Sequence, residues 1–232
     1  MHRVTRIIST MLITAGLVVL ADAGLTLIWQ EPLSAAYGSL KQGQAEDELN
    51  ELEAGYPTPE DLAAVGGVSG DAARARILAD RFEPRMRDGE AIGRIEIPRI
   101  DLDIVIVQGT GTASLQKGPG HYKATSIPGQ PGTVAIAGHR TTYLAPFRQI
   151  DEIEDGDEIR IEMPYGAFTY VVEKHEIVDP GQVEIIEPVG YERLVLTACH
   201  PLYSAAQRYA VFAKLSRIDS FALTGEGPWV AP

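Results

Sequence analysis

A single cysteine, Cys199, ends the apolar stretch RLVLTAC at residues 193–199, and no other residue of the 232 carries a thiol. A thiolate performs nucleophilic acyl chemistry when a proton donor serves the leaving group and a cation or N–H group meets the developing oxyanion. His139, at the end of VAIAGH, is a candidate for the first role, and Arg208, at the start of RYAVFAKL, for the second. The guanidinium suits that place because its charge is permanent. Cys199 and His139 each close a strand-like run, where a side chain projects from a rigid sheet edge, and Arg208 opens the run after the loop HPLYSAAQ. Local spacing cannot join the three; neighbouring strand ends in a folded sheet can.

Blander readings stand beside this one. A lone cysteine serves as a small buried hydrophobe, a histidine after glycine satisfies turn hydrogen bonds, and a strand-end arginine snorkels from a barrel face. His200 adjoins Cys199, and adjacent strand residues point to opposite faces, so it is not taken as the partner. His121 in GPGHYKATSIPG reads as a groove residue or a loop brace, and His175 in FTYVVEKHEIV as a residue on a solvated strand face. Zinc held by Cys199 with His200, His139 or His121 is a further alternative, but no short CxxC or HxH pair supports it. The expected chemistry requires no metal and no organic cofactor.

The elements that must position these groups follow from the hydrophobic pattern. From Ala91 the chain becomes a series of short runs rich in branched apolar residues: AIGRIEIP, DIVIVQG, TVAIAG, EIRIEMP, FTYVVEKHEIV, RLVLTAC and RYAVFAKL. EIRIEMP has the cleanest period of two, with Ile159, Ile161 and Met163 on one face and Arg160 and Glu162 on the other. Turns such as PGQPG, EDGD, PYG and DPG separate the runs and argue for an all-β barrel or sandwich over residues 91–217, with helical insertions around YLAPF and QVEIIEPVG.

Upstream, IISTMLITAGLVVLADAGLTLIW at residues 7–29 carries Asp22 as its one charge, and at ~1.5 Å per residue a helix of that length spans a bilayer. Arg3 and Arg6 favour a cytoplasmic N-terminus, which assigns residues 1–29 to a membrane anchor and puts the rest outside the cell. A cleaved signal peptide ending near Ala21-Asp22-Ala23, or a buried soluble helix, remains open. Residues 30–90 read as an acidic extracytoplasmic stalk with two short helices, SLKQGQAEDELNELEA and DAARARILADRF, neither with a stripe strong enough for a core of its own. Residues 218–232 read as a flexible tail. A formal net charge of −12 repels phosphate backbones and sets nucleic-acid binding aside.

Two segments carry a family resemblance. GPGHYKATSIPGQPGTVAIAGHRTTY followed by LVLTACHPLYSAAQRYAVFAKL resembles the sortase family of cysteine transpeptidases, over about residues 91–215, in the family order of histidine, cysteine and arginine. The pair His200-Pro201 and the run Arg140-Thr141-Thr142-Tyr143 look most like class E sortases of high-GC Gram-positive bacteria. The resemblance implies a closed eight-stranded β-barrel behind a membrane anchor. It also implies Cys199 as nucleophile, His139 as general acid/base and Arg208 as carbonyl clamp, with His121 as an accessory histidine near the groove. Tyr143, Leu202 and Tyr203 are candidate groove-lining residues. The implied reaction cleaves an LAxTG- or LPxTG-like sorting signal of a secreted protein between Thr and Gly, through a thioester. The acyl group then passes to an amine of a peptidoglycan precursor or a pilin.

Two departures from the family pattern stand out: Ala198 where threonine is common before the cysteine, removing a hydroxyl available for substrate positioning, and Thr133 where asparagine is frequent, altering loop bracing. The tail segment Phe221-Ala222-Leu223-Thr224-Gly225 approaches an LAxTG pattern, as coincidence or as a weak occupant of the groove. A plain cysteine hydrolase and a catalytically silent surface-binding domain are the competing functions. The first predicts no amine product, the second no thioester.

Overall fold

A computed structural model of the chain describes residues 2–28 and 32–219. Its centre is a closed barrel of eight strands: β1 (Ala91–Ile97), β2 (Leu102–Gln108), β3 (Gly120–His121), β4 (Thr133–Gly138), β5 (Glu158–Met163), β6 (Gly166–Val178), β7 (Arg193–His200) and β8 (Gln207–Asp219). The strand order is β1-β2-β3-β4-β7-β8-β6-β5, closing from β5 back to β1. The β2/β3 and β4/β7 pairs are parallel and the remainder antiparallel. Each predicted strand run lies on one of seven strands, and the eighth, β3, is a two-residue bridge inside GPGHYK.

The alternation sets the barrel's two faces. Ile159, Ile161 and Met163 of β5 are buried in the interior with Val134 and Ile136 of β4, Leu194, Leu196 and Ala198 of β7, and Tyr209, Val211 and Ala213 of β8. The opposite parity, Ala135, Val195, Ala210 and Phe212, forms a second apolar cluster on the outer face. That outer patch is covered by Tyr122 and by Ile185 and Ile186 of a 3-10 turn at Val183–Ile186. The insertion expected around QVEIIEPVG is this turn. The YLAPF stretch has no helix, and a short helix, α5 (Thr112–Leu115), stands where none was expected.

The helices before the barrel correct the stalk reading. Helix α1 (His2–Ile28) contains one segment, Arg3–Gly24, long and apolar enough to cross a membrane, with its apolar side chains outside any protein core. Helix α2 (Pro32–Gly55) lies along β1 and β2. It turns Gly38, Gln42, Ala45 and Leu49 inward, and Ala45 and Leu49 pack with Ala91, Val105 and Val107. Its acidic residues are matched to the barrel: Glu46 pairs with Arg94, and Glu48 with Lys117.

Helices α3 (Pro59–Val65) and α4 (Asp71–Phe82) belong to the barrel core itself, because Tyr56, Val65, Leu78 and Phe82 share one apolar cluster with its strands. Ring centroids lie 5.0 Å apart for Tyr56–Phe82 and 5.6 Å for Phe82–Tyr165, an aromatic stack that runs into the barrel. Thr58 caps α3 in a reciprocal box with Asp61, whose buried carboxylate also accepts from Arg81 Nε at 2.5 Å and Arg85 Nη2 at 3.0 Å. Residues 32–85 are therefore folded onto the barrel and are no tether. At the other end β8 runs to Asp219, two residues into the expected tail, and the FALTG segment lies outside the described residues.

Candidate active site

Two registers bring the three sequence-selected groups together. In the parallel β4/β7 pair the register ends with Gly138 opposite Ala198, so His139 leaves β4 at the level where β7 continues to Cys199. In the antiparallel β7/β8 pair Cys199 stands opposite Arg208. Paired residues on adjacent strands sit about 5 Å apart and share a face. Parity puts Cys199 on the outer face with Val195 and Thr197, half-buried, with an imidazole on one side and a guanidinium on the other. His200 takes the inner parity, where its ring lies 5.8 Å from Tyr209.

The loop after β4 is held tightly. Gly138 is required there: a Cβ would fall 2.5 Å from Cδ2 of the fully buried Phe147 ring. Phe147 N–H in turn donates to the His139 carbonyl at 3.0 Å. Arg140, buried and unselected by the sequence reading, ties this loop to the end of β7. It pairs with Asp151 at 2.6 Å, donates to the Arg148 carbonyl at 3.2 Å, and places Nη1 3.5 Å from the Cys199 carbonyl and 3.3 Å from His200 Nδ1. A guanidinium has no acceptor, so His200 Nδ1 accepts that bond. Next along the loop, Tyr143, Leu144 and Ala145 all have left-handed backbone, φ 49°, 67° and 45°. Non-glycine residues in that region cost of order 1 kcal/mol or more each and persist only where the surroundings over-determine them.

His139 is half-buried, and its Nε2 is buried without a hydrogen-bond partner among the described residues. Burial pushes its imidazole below the ordinary histidine value, which favours the neutral ring at pH 7. Arg208 donates through Nη1 to the carbonyls of Ala205 and Gln207, both at 2.9 Å, which fixes the guanidinium to the β7–β8 loop.

A cavity of about 90 Å³ opens beside this row, lined by Thr197, Arg208, Tyr122, Val178, Ile185 and Ile186 among others. Its wall is braced by the Tyr122 hydroxyl, 3.1 Å from Thr197 Oγ1. Thr133 fastens the loop that carries Ile185 and Ile186: its hydroxyl donates to the Glu187 carbonyl at 2.8 Å and accepts from Arg193 at 3.3 Å. Thr133 is thus a working loop brace. Ala198 faces the barrel interior, so a threonine there would put its hydroxyl among core residues and away from any bound substrate.

The four expected groove residues lie outside the lining of this cavity. His121 is 2% exposed, with Nδ1 2.8 Å from Gln108 Oε1 and Nε2 2.9 Å from the Ser126 carbonyl. The Ser126 carbonyl forces Nε2 to donate, and burial disfavours a second ring proton. A neutral ring then takes its Nδ1 bond from the Gln108 amide with its nitrogen turned inward, an orientation exchangeable with the oxygen. His121 is a loop brace, not a groove residue, and with both nitrogens committed it is no zinc ligand. Tyr143 packs on His139, with centroids 5.3 Å apart. Tyr203 stands on the surface and accepts from Arg148 at 3.2 Å, and Leu202 is half-buried in the same loop. None of the four lines the cavity, whereas Tyr122 and Thr197 do. Period two along RLVLTAC would have found Thr197, which shares the face of Cys199; Tyr122 follows the two-residue β3 and carries no such signal.

Comparison with known proteins identifies the family. Residues 95–216 match the family model described as "Sortase domain". The chain is 33% identical to sortase D of Bacillus subtilis over 213 residues, covering 90% of this chain and 98% of that protein. The solved sortase E of Streptomyces avermitilis is 34% identical, covers 60% of this chain and 97% of its own, and superposes with a TM-score of 0.54. Sortase E1 of Streptomyces coelicolor, solved with a tripeptide in the active site, is 25% identical at a TM-score of 0.56, covering 61% of this chain and 97% of its own. The likeness thus extends to relatives named sortase D as well as sortase E, and the sortase D match spans the preceding helices too. On the family-wide match and the near full-length relative, the chain belongs to the sortase family of cysteine transpeptidases.

Proposed function

We propose that the chain cleaves an LAxTG- or LPxTG-like sorting signal between Thr and Gly at Cys199 and transfers the acyl group to an amine. The observation that carries this reading is the row His139–Cys199–Arg208 on one outer face of β4, β7 and β8, beside a cavity. The Cys199 thiolate attacks the threonine carbonyl carbon while the Arg208 guanidinium stabilises the oxygen as it gains charge. The C–N bond breaks, and the His139 imidazolium gives its proton to the departing glycine amine. A thioester to threonine remains. Neutral His139 then takes a proton from the incoming amine as it attacks, and Cys199 leaves as thiolate. Because burial favours the neutral imidazole, the reactive ion pair is a minority form at pH 7.

The Thr197–Tyr122–Ile186 cavity, apolar with a few polar groups, suits a short peptide better than a charged polymer. The tripeptide seated in the Streptomyces coelicolor enzyme supports a peptide in the equivalent place. The partners are then secreted proteins bearing a C-terminal signal, with a peptidoglycan precursor or pilin amine as acceptor. Helix α1 serves as a single-pass anchor with the barrel outside the cell. The test is intact mass spectrometry with an LAETG-type peptide, with and without a glycine-containing amine. An acyl adduct on Cys199 and an amide product are expected, both lost in Cys199→Ala. Adduct with hydrolysis alone, unaffected by amine, would make the protein a hydrolase. Persistence in the Cys199→Ala chain would overturn the site.

A further inference from the structure

We propose that the first turns of α2 position the catalytic histidine, acting through Tyr143, so that this helix is part of the catalytic apparatus. The proposal rests on His139 acting as the acid/base group. Tyr143 stands between the two elements. Its ring packs on His139 at 5.3 Å, tilted by 42°, and meets the ring of Tyr37 edge-on at 6.2 Å. Its backbone N–H donates to Ser34 Oγ at 3.1 Å, and its hydroxyl accepts from Gln116 Nε2 at 3.1 Å. Gly38 completes the contact: a Cβ there would lie 3.0 Å from the Tyr143 carbonyl carbon and 3.1 Å from Leu144 Cγ, so the helix rests directly on the loop backbone.

That loop holds Tyr143, Leu144 and Ala145 in left-handed conformations, a state that needs outside contacts to hold it. Ser34, Tyr37 and Gly38 supply those contacts within five residues of α2. His139 itself has little else to orient its ring, since its Nε2 has no partner among the described residues. The Tyr143 ring therefore sets which way the imidazole faces across to Cys199. An error near 1 Å in such a group costs roughly a hundredfold in rate.

The full chain is the object of the test. Gly38→Val pushes the helix off the loop, and Tyr143→Ala removes the ring while leaving α2 seated. Both are expected to lower kcat for an LAETG-type peptide by about 10- to 100-fold with KM within about twofold. Tyr143→Phe, which keeps the ring, is expected to recover most of the loss seen in Tyr143→Ala. A change confined to melting temperature would not split kcat from KM in this way. If Gly38→Val does not fold, Tyr143→Ala and Tyr143→Phe decide the matter alone. Should His139→Ala be inactive while Tyr143→Ala keeps kcat within twofold, the positioning role falls and the acid/base assignment stands. Should His139→Ala turn over like the native chain, that assignment falls and takes this proposal with it.

Discussion

Replacing Gln42 by alanine tests whether α2 belongs to the barrel. Along β2, the edge facing β3 has no strand partner before Val107, and the Gln42 amide fills the gap at Val105. Its Oε1 accepts from Val105 N–H at 3.1 Å, and its Nε2 donates to the carbonyls of Val105 at 3.1 Å and Lys117 at 2.6 Å. Val105 is fully buried, so water cannot replace the lost partner at its N–H. Three bonds at about 1 kcal/mol net each put the loss near 3 kcal/mol. For a folded unit of this size that is a fall of roughly 6–12 °C in Tm. The assay is thermal unfolding of the full chain in detergent micelles, followed by near-ultraviolet circular dichroism. Gln44→Ala, at an exposed position of the same helix, is the control and should stay within about 0.5 kcal/mol. If Gln42→Ala melts with the control, α2 is a tether after all and the packing argument is wrong.

Acid should weaken the α3–α4 cap through Asp61. Burial raises that carboxyl, but the bonds from Thr58 and Arg81 and the nearby Arg85 outweigh it and hold the group at about 2, against an ordinary 3.8. A depressed folded value means the contribution is whole above about pH 4 and lost as pH falls toward 2; the urea midpoint followed against pH should show this slope, and Asp61→Asn should flatten it. Ala198→Thr should cost about 1–3 kcal/mol, because it buries a hydroxyl in the core, and should leave peptide KM unchanged. A lowered KM would contradict the inward placement. The acid limb of kcat/KM should fall below pH 6.5, since burial depresses His139, and a limb above that value would show the ring to be stabilised as the cation.

The legible part of this fold was what alternation controls. EIRIEMP and RLVLTAC each have a buried parity set by neighbours two residues apart, so their faces could be read locally. The placement of Cys199, His139 and Arg208 at neighbouring strand ends was legible in the same way. Helix α2 was not. Its inward positions Gly38, Gln42, Ala45, Leu49 and Leu52 recur every three or four residues, but the first three are small or polar, and Leu40 points outward at 62% exposed. A close-packed helix that docks by hydrogen bonds and backbone contact leaves little trace in hydropathy. His121 was misplaced because its role depends on Gln108 and Ser126, brought to it by a two-residue strand that no pattern announces. The cavity was missed because its wall comes from a distant turn at Val183–Ile186, which only the strand order sets against Thr197.

The order of strands has a consequence for biogenesis. β7 and β8, made after the other six described strands, wedge between β4 and β6. Until that insertion the β7/β8 hairpin can set Arg208 opposite the thiol but lacks the β4 side that carries His139, and the sheet is still an open ribbon. The row of imidazole, thiol and guanidinium is thereby complete only once the seam between β4 and β6 is closed.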